Sequence, residues 1–172
     1  MPRRLVIFDL DETLVHASKS KLVLDHSLIV DSYFVYERPY TRELLSFAAE
    51  HFDLAVWSSS SQEYVQAVVG HLFGTTYPLK FSWSVEKCVQ RVDPASNGYV
   101  YIKDLRKVQS QGYLVDQITI IDDSPEKIQR QPKNHIYVKP YLGSSTDSEL
   151  LVVQAALAAF SPRASQLGQN AL

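Results

Sequence analysis

The sequence predicts an α/β domain built on a mainly parallel sheet flanked by helices. Three observations predict it. Short, continuous apolar runs recur at Leu5 to Phe8, Leu54 to Trp57 and Ile118 to Ile121, the pattern of strands covered on both faces. Segments with apolar residues at helical spacing separate them. Strand-like and helix-like segments then alternate along the chain, as a parallel sheet with crossover helices requires.

The elements follow in order. Leu5 to Phe8 is the first strand. Residues 22 to 36 carry three short pieces, "LVL", "LIV" and "YFVY", separated by Asp25-His26 and Asp31-Ser32, and they read as a small β meander. In "RPYTRELLSFAAEHF", Leu44, Leu45, Phe47, Ala48 and Phe52 mark a helix. "LAVW" is the next buried strand. It leads into "SSSSQEYVQAVVGHLF", where Ser60 and Glu63 fit a capping box and Gly74 a stop. Residues 74–101 are the least regular, with a turn at "DPASNG". A helix is expected from Asp104 to Gly112. "ITII" is a strand, after which Ser124 can cap a helix with Pro125 as its first residue. "HIYV" is a last strand, and "TDSELLVVQAALAAF" a last helix with a capping box from Thr146 to Glu149. Residues 1–160 then form one domain. The segment 161–172, "SPRASQLGQNAL", has too few apolar residues to pack and is expected to fray.

Composition narrows the class. The 172 residues are 45% apolar and 21% charged, with a formal net charge of −2. That balance gives no argument for general nucleic-acid binding or for a membrane surface. The single cysteine, Cys88, excludes an internal disulfide and fits a reducing compartment. In "MPRRLVIF" the apolar run meets Asp9 and Asp11 too early for a signal peptide. No stretch approaches the ~18 apolar residues of a membrane span. A cytoplasmic protein is expected.

Ligands of parallel sheets bind beyond the carboxyl ends of the strands. There the first strand runs into Asp9-x-Asp11-x-Thr13, the second into Ser58 and the third into Asp122-Asp123. Like charges 4 Å apart repel by roughly 4 kcal/mol at an effective dielectric of 20. Four carboxylates on one edge therefore call for a cation. Hard oxygen ligands suit Mg²⁺, which keeps positions for water or substrate phosphate. Lys103 is a candidate for a further positive charge. Mg²⁺, a lysine, the Ser58 hydroxyl and helix N-termini suit a phosphoryl group. A carboxylate can serve as the nucleophile through an aspartyl-phosphate. A second carboxylate can protonate the leaving oxygen and later activate water.

"FDLDETLV" resembles the first motif of the haloacid dehalogenase (HAD) superfamily, whose fold is a Rossmann-like, mainly parallel sheet. The set "DLDETLVH", "ERPYTRELL", "VWSSSSQEY", "YIKDL" and "IIDDSPEKI" is similar to its branch of NLI-interacting-factor-like, or small CTD-type, protein phosphatases. The likeness runs from about residue 4 to about residue 157. It implies Asp9 as nucleophile, Asp11 as general acid/base, Thr13 as support for the loop, and Ser58 and Lys103 as phosphate-binding groups. It implies Mg²⁺ held by the Asp9 carboxylate, the Asp11 backbone carbonyl and Asp123, with Asp122 behind them. Relatives commonly carry Thr where Ser58 stands and Asn where Asp123 stands; both keep the needed atom type. Residues 83–101 depart from the pattern, so the resemblance carries no substrate identity over. Only 22 residues separate His16 from Pro39, room for a small β insertion after the first strand but not for a large cap domain. An open site suits a phosphoprotein or another bulky phosphomonoester.

Other readings compete. A small-molecule or nucleic-acid-end phosphatase would use the same mechanism, and a phosphopeptide-binding module would use the site without turnover. A response-regulator receiver also phosphorylates an Asp near Mg²⁺, but its paired acids precede the acceptor and its lysine comes last, the reverse of the order here. His16, His26, His51, His71 and His135 have no metal-ligand spacing and read as structural or surface groups. Trp57 reads as packing behind the site and Cys88 as a small core residue. Tyr99 and Tyr101 are candidates for substrate contact.

Overall fold

The computed structural model describes residues 3–161. In chain order the elements are β1 (Leu5–Phe8), β2 (Val15–Ser18), β3 (Leu28–Val30), β4 (Tyr33–Glu37), α1 (Thr41–His51), β5 (Asp53–Trp57), α2 (Gln62–Leu72), β6 (Leu79–Trp83), β7 (Val89–Asp93), β8 (Gly98–Ile102), β9 (Ile118–Asp122), β10 (His135–Tyr137) and α3 (Glu149–Ala158). Short 3₁₀ segments, including Leu105–Gln111 and Pro125–Ile128, fill the connections.

Five strands form a parallel sheet in the order β10-β9-β1-β5-β6, with β1 at its centre. Its register places the site. Phe8 lies level with Val56 on one side and Ile121 on the other. The next residues, Asp9, Trp57 and Asp122, therefore leave the sheet at one height. Side chains alternate between faces along a strand, so β1 contributes to two cores. Val6 and Phe8 pack with Leu44, Leu45, Val65, Val68, Leu150 and Val153 from the three helices. Leu5 and Ile7 pack with Ile118, Ile120, Leu105, Val108 and Ile128. Helices thus cover one face and 3₁₀ segments the other. Each fully buried aliphatic side chain contributes about 1.5–3 kcal/mol.

A three-stranded antiparallel sheet, β2-β4-β3, follows β1, and β7-β8 form a hairpin before residue 103. Between β1 and α1 stands this small meander, as the length of that segment predicts. No helix among the described residues is long and apolar enough to cross a membrane.

Several local expectations are corrected. Residues 22–24 form no strand: the Leu22 amide donates to the Tyr36 hydroxyl at 2.7 Å, and Val23 is fully exposed. The third strand of the meander is Val15–Ser18 instead, whose Val15 is buried. The N-cap of α2 is Ser61, whose Oγ accepts from the Tyr64 amide at 3.3 Å, not Ser60. The capping box of α3 is absent. The helix starts at Glu149, and Asp147 Oδ1 accepts from its amide at 3.2 Å. The segment after Asp104 is 3₁₀, not α, although Asp104 caps it and Gly112, at φ +88°, ends it as expected. Its Val and Ser residues are weak helix formers. Likewise Pro125–Ile128 is a single 3₁₀ turn. Ser161 is buried; the rest of the expected tail, 162–172, lies outside the described residues.

Candidate active site

The site is assembled from the ends of β1, β5, β8 and β9. Asp9 leaves β1 with its amide donating to Ile121 O at 3.0 Å, and it is 2% exposed. Both of its carboxylate oxygens are held. Oδ1 accepts from Lys103 Nζ at 2.8 Å and Oδ2 from Thr13 Oγ1 at 3.0 Å. Thr13 is within reach because the chain turns back at once: the Leu14 and Val15 amides both donate to Leu10 O, and Glu12 sits in the left-handed region at φ +60°. Arg38, buried, anchors this turn. Its Nη1 donates to Glu12 O and Thr13 O, its Nη2 to Lys139 O, and its Nε to Asp147 Oδ1 at 2.8 Å.

Lys103, the first residue after β8, is fully buried. Its ammonium bridges Asp9 Oδ1 and, at 2.6 Å, Asp122 Oδ2. Burial opposes its charge, but Asp122 and Asp9 outweigh that and keep it protonated. Asp122 also accepts from the Ser124 amide at 2.8 Å. Burial and Asp9 push its carboxyl up while Lys103 pulls it back. Asp123 has no lysine bond, only the Ser124 hydroxyl donating to its Oδ1 at 3.3 Å. Burial, Asp9 and Asp122 push it up to about 7.

Asp11 faces α2 rather than Lys103. Its Oδ2 accepts from Ser60 Oγ at 2.7 Å and its Oδ1 from the Tyr64 hydroxyl at 2.5 Å. Burial raises its affinity for a proton, the Tyr64 bond opposes this, and the Asp9 charge adds to the rise. Burial first, and then Asp11, hold the Tyr64 phenol far above its ordinary value, so it remains a donor. Ser58, buried after β5, accepts from the Ser60 amide at 3.0 Å, leaving its own O–H to donate. An open cleft of about 420 Å³ lies beside the pair, lined by Asp11, Glu12, Tyr33, Ser59, Ser60 and Tyr64 among others.

The structure thus gathers Asp9, Thr13, Lys103, Asp122 and Asp123 directly, with Asp11 and Ser58 joined to each other through Ser60. Carboxylate oxygens of Asp9, Asp122 and Asp123 lie within 4.8 Å of one another. An all-oxygen donor set with this excess of negative charge, and a carboxyl driven up to about 7 by burial and then by its acidic neighbours, fits a hard divalent cation such as Mg²⁺. Of the histidines, His135 touches the site, its Nε2 lying 2.7 Å from Asp122 O. His16 pairs with Glu12 and His71 with Glu37. Trp57 is fully buried and edge-on to Trp83. Cys88 is half-buried against the same core, which pushes its thiol up. Tyr99 is exposed on the hairpin, and neither it nor Tyr101 lines the cleft. Ser60, Tyr64, Arg38 and Lys127, whose Nζ donates to Ser59 Oγ at 2.9 Å, are additions to the residues expected from sequence. "SSSSQEY" and "SPEKI" contain three of them, but nothing in those strings tells which hydroxyl or ammonium turns toward the carboxylates.

A parallel sheet whose central strand ends in Asp-x-Asp-x-Thr, closed over a buried lysine and a distal Asp pair, defines the HAD-like class of hydrolases. The solved structure of Fcp1, described as an essential RNA polymerase II CTD phosphatase, shares the fold at a TM-score of 0.62 and 19% identity, over 97% of this chain and 53% of that one. The profile of the NLI interacting factor-like phosphatases matches residues 4–167, and the chain belongs to that family. The CTD phosphatase-like protein 355R of Invertebrate iridescent virus 3 is 30% identical over 92% of this chain and 97% of its own length. The CTD nuclear envelope phosphatase 1B of Danio rerio is 27% identical over 87% of this chain and 63% of its own.

Proposed function

We propose that the chain is a Mg²⁺-dependent phosphomonoester hydrolase that acts on phosphoproteins through an aspartyl-phosphate on Asp9, with Asp11 as general acid/base. One observation carries this reading. The Asp9 carboxylate is buried and held by both oxygens, and a second carboxyl two residues on is held separately by Ser60 and Tyr64. A carboxylate fixed in this way has already lost its rotational freedom before attack.

In the first step an Asp9 oxygen forms a bond to phosphorus as the ester P–O bond breaks. Asp11 gives its proton to the leaving oxygen. In the second step Asp11 takes a proton from water, the hydroxide attacks phosphorus, and the Asp9 P–O bond breaks to release phosphate. Lys103 orients Asp9 through its bond to Oδ1, and the Ser58 hydroxyl would donate to a phosphoryl oxygen. Asp9, the Asp11 carbonyl and Asp123 would hold Mg²⁺, which would supply charge neutralisation at the phosphoryl group. Support for a protein substrate comes from the open cleft, the small insertion and the names of the relatives.

The test is hydrolysis of an aryl phosphate and a phosphopeptide panel, with and without Mg²⁺, by wild type, Asp9→Asn and Asp11→Asn. We expect metal-dependent turnover, abolished in the first variant and reduced by about 10²–10⁴ in the second. Turnover that survives Asp9→Asn overturns the nucleophile assignment.

A further inference from the structure

We infer that Lys127 is a second phosphoryl-binding cation, adding donors for the incoming ester dianion to those that Lys103 spends on Asp9 and Asp122. This rests on the phosphatase reading of the same site.

Lys103 is committed. It is fully buried, and two of its three N–H bonds go to Asp9 and Asp122. Lys127 is half-buried. Among the described residues its ammonium makes one hydrogen bond, to a neutral hydroxyl, Ser59 Oγ at 2.9 Å, and no ion pair. An ammonium carries three donors, so two are unspent. Ser59 lines the cleft with Asp11, which brings the ammonium to the side of the reacting groups. Its field reaches Asp11, Asp122 and Asp123, lowering each.

The backbone at Lys127 is fixed as well. Its amide donates to Ser124 O at 3.0 Å, and its carbonyl accepts from the Lys103 amide at 2.8 Å. The next residue, Ile128, is fully buried in the core. The two lysines are therefore tied together at the main chain, and only the Lys127 stem is free to adjust. Charge balance points the same way. With Asp11 carrying the proton it gives to the leaving oxygen, three carboxylates against two ammoniums and a divalent cation leave the site one charge positive. Without Lys127 a phosphate dianion would enter a site with no net positive charge. A half-buried ammonium with free donors beside a nucleophilic carboxylate is suited to an anion, and the anion this site receives is a phosphomonoester.

The experiment compares wild type, Lys127→Met, Lys127→Arg and Ser59→Ala. The readouts are calorimetric titration with inorganic phosphate in the presence of Mg²⁺, steady-state hydrolysis of an aryl phosphate, and thermal melting. Loss of a charged hydrogen bond corresponds to about tenfold or more in affinity. We expect Lys127→Met to bind phosphate about tenfold more weakly and to raise KM by the same factor. Its kcat should stay within about threefold and its melting temperature unchanged. Lys127→Arg should recover most of the affinity, and Ser59→Ala should lose far less than Lys127→Met. If methionine disturbs folding, Lys127→Gln serves the same comparison. Phosphate affinity unchanged in the folded Lys127→Met or Lys127→Gln protein overturns the inference. So does an equal loss in Ser59→Ala, which would make Lys127 a brace for the loop. A wild type that binds phosphate but hydrolyses nothing overturns the phosphatase reading instead, and the titration still decides Lys127.

Discussion

Asp11 is the residue whose setting governs its chemistry most directly, because two hydroxyl donors hold it and each can be removed alone. The Tyr64 hydroxyl stabilises the ionised carboxylate. Tyr64→Phe removes that donor while keeping the ring. Asp11 then holds its proton more tightly, so the alkaline limb of kcat/KM, which requires protonated Asp11, should move to higher pH. kcat should fall by about tenfold as the carboxyl loses orientation. A pH–rate profile measures both; a limb that does not move means that Tyr64 only packs. At this scale the sequence was legible where residue type and spacing coincide with a strand end, as at Asp9, Asp11, Lys103 and Asp122-Asp123. It was illegible within "SSSS", where four identical side chains take four different partners. Ser58 accepts from the Ser60 amide, Ser59 accepts from Lys127, Ser60 donates to Asp11 and Ser61 caps α2. Only the three-dimensional turn after β5 separates them.

Elements hold these residues in place, and Arg38 joins three of them. It ties the turn after β1 to residue 139 and to Asp147 before α3, and its guanidinium lies 5.3 Å from the Tyr141 ring centre. Removing one partner of a buried ion pair leaves the other charge uncompensated, at a cost of about 3–5 kcal/mol. Arg38→Met should therefore lower stability by that amount in urea unfolding and also weaken turnover, because Glu12 and Thr13 lose their anchor. A loss below about 1 kcal/mol would show that the Tyr141 amide, donating to Glu12 O at 2.8 Å, and Glu149, accepting from the Lys139 amide at 3.3 Å, hold the loop without it. Arg38 was visible only as one letter of "ERPYTRELL", since an arginine before a proline carries no pattern of its own. The strands of the parallel sheet were legible because both faces are covered and the runs are purely apolar. By contrast, β7 (VQRVD) and β8 (GYVYI) pair with each other in a hairpin where only Ile102 is fully buried. The rest of their composition follows the hairpin, so neither run stands out. Of the stretches read as helices, the one near Asp104 keeps its side-chain cap while Ser124 makes none, and both lack the length and propensity to hold an α-helix.

For the whole molecule, stability is coupled to the carboxylates stacked at one end of the sheet and to one acid on its flank. Arg106, and then Arg130 with Gln131, hold the Asp104 carboxyl well below the usual range, against the opposing effect of burial. Its value in the unfolded chain is about 3.9. A depressed folded value means that the unfolded chain binds the proton more readily. The stabilisation is therefore complete above about pH 4 and is lost as pH falls further toward the folded value. Between pH 4 and pH 2 the melting temperature of Asp104→Asn should fall less steeply than that of wild type; parallel slopes would refute the coupling. The site carboxylates act in the opposite direction. Asp123 is crowded by Asp9 and Asp122 with no lysine of its own, so at pH 8 without metal its charge costs stability. Asp123→Asn removes the charge and keeps an oxygen, and it should melt higher than wild type in chelator. Addition of Mg²⁺ should reverse the comparison. A cation at 100 times its Kd stabilises by about 2.7 kcal/mol, or about 5–10 °C for a domain of this size. The variant, with one fewer anionic ligand, should gain only part of that. Crossing melting curves would identify Asp123 as a residue kept for the cation at the expense of the fold. A wild type insensitive to Mg²⁺, or a variant that is less stable in chelator, would mean that the acidic edge is balanced by the protein's own lysines.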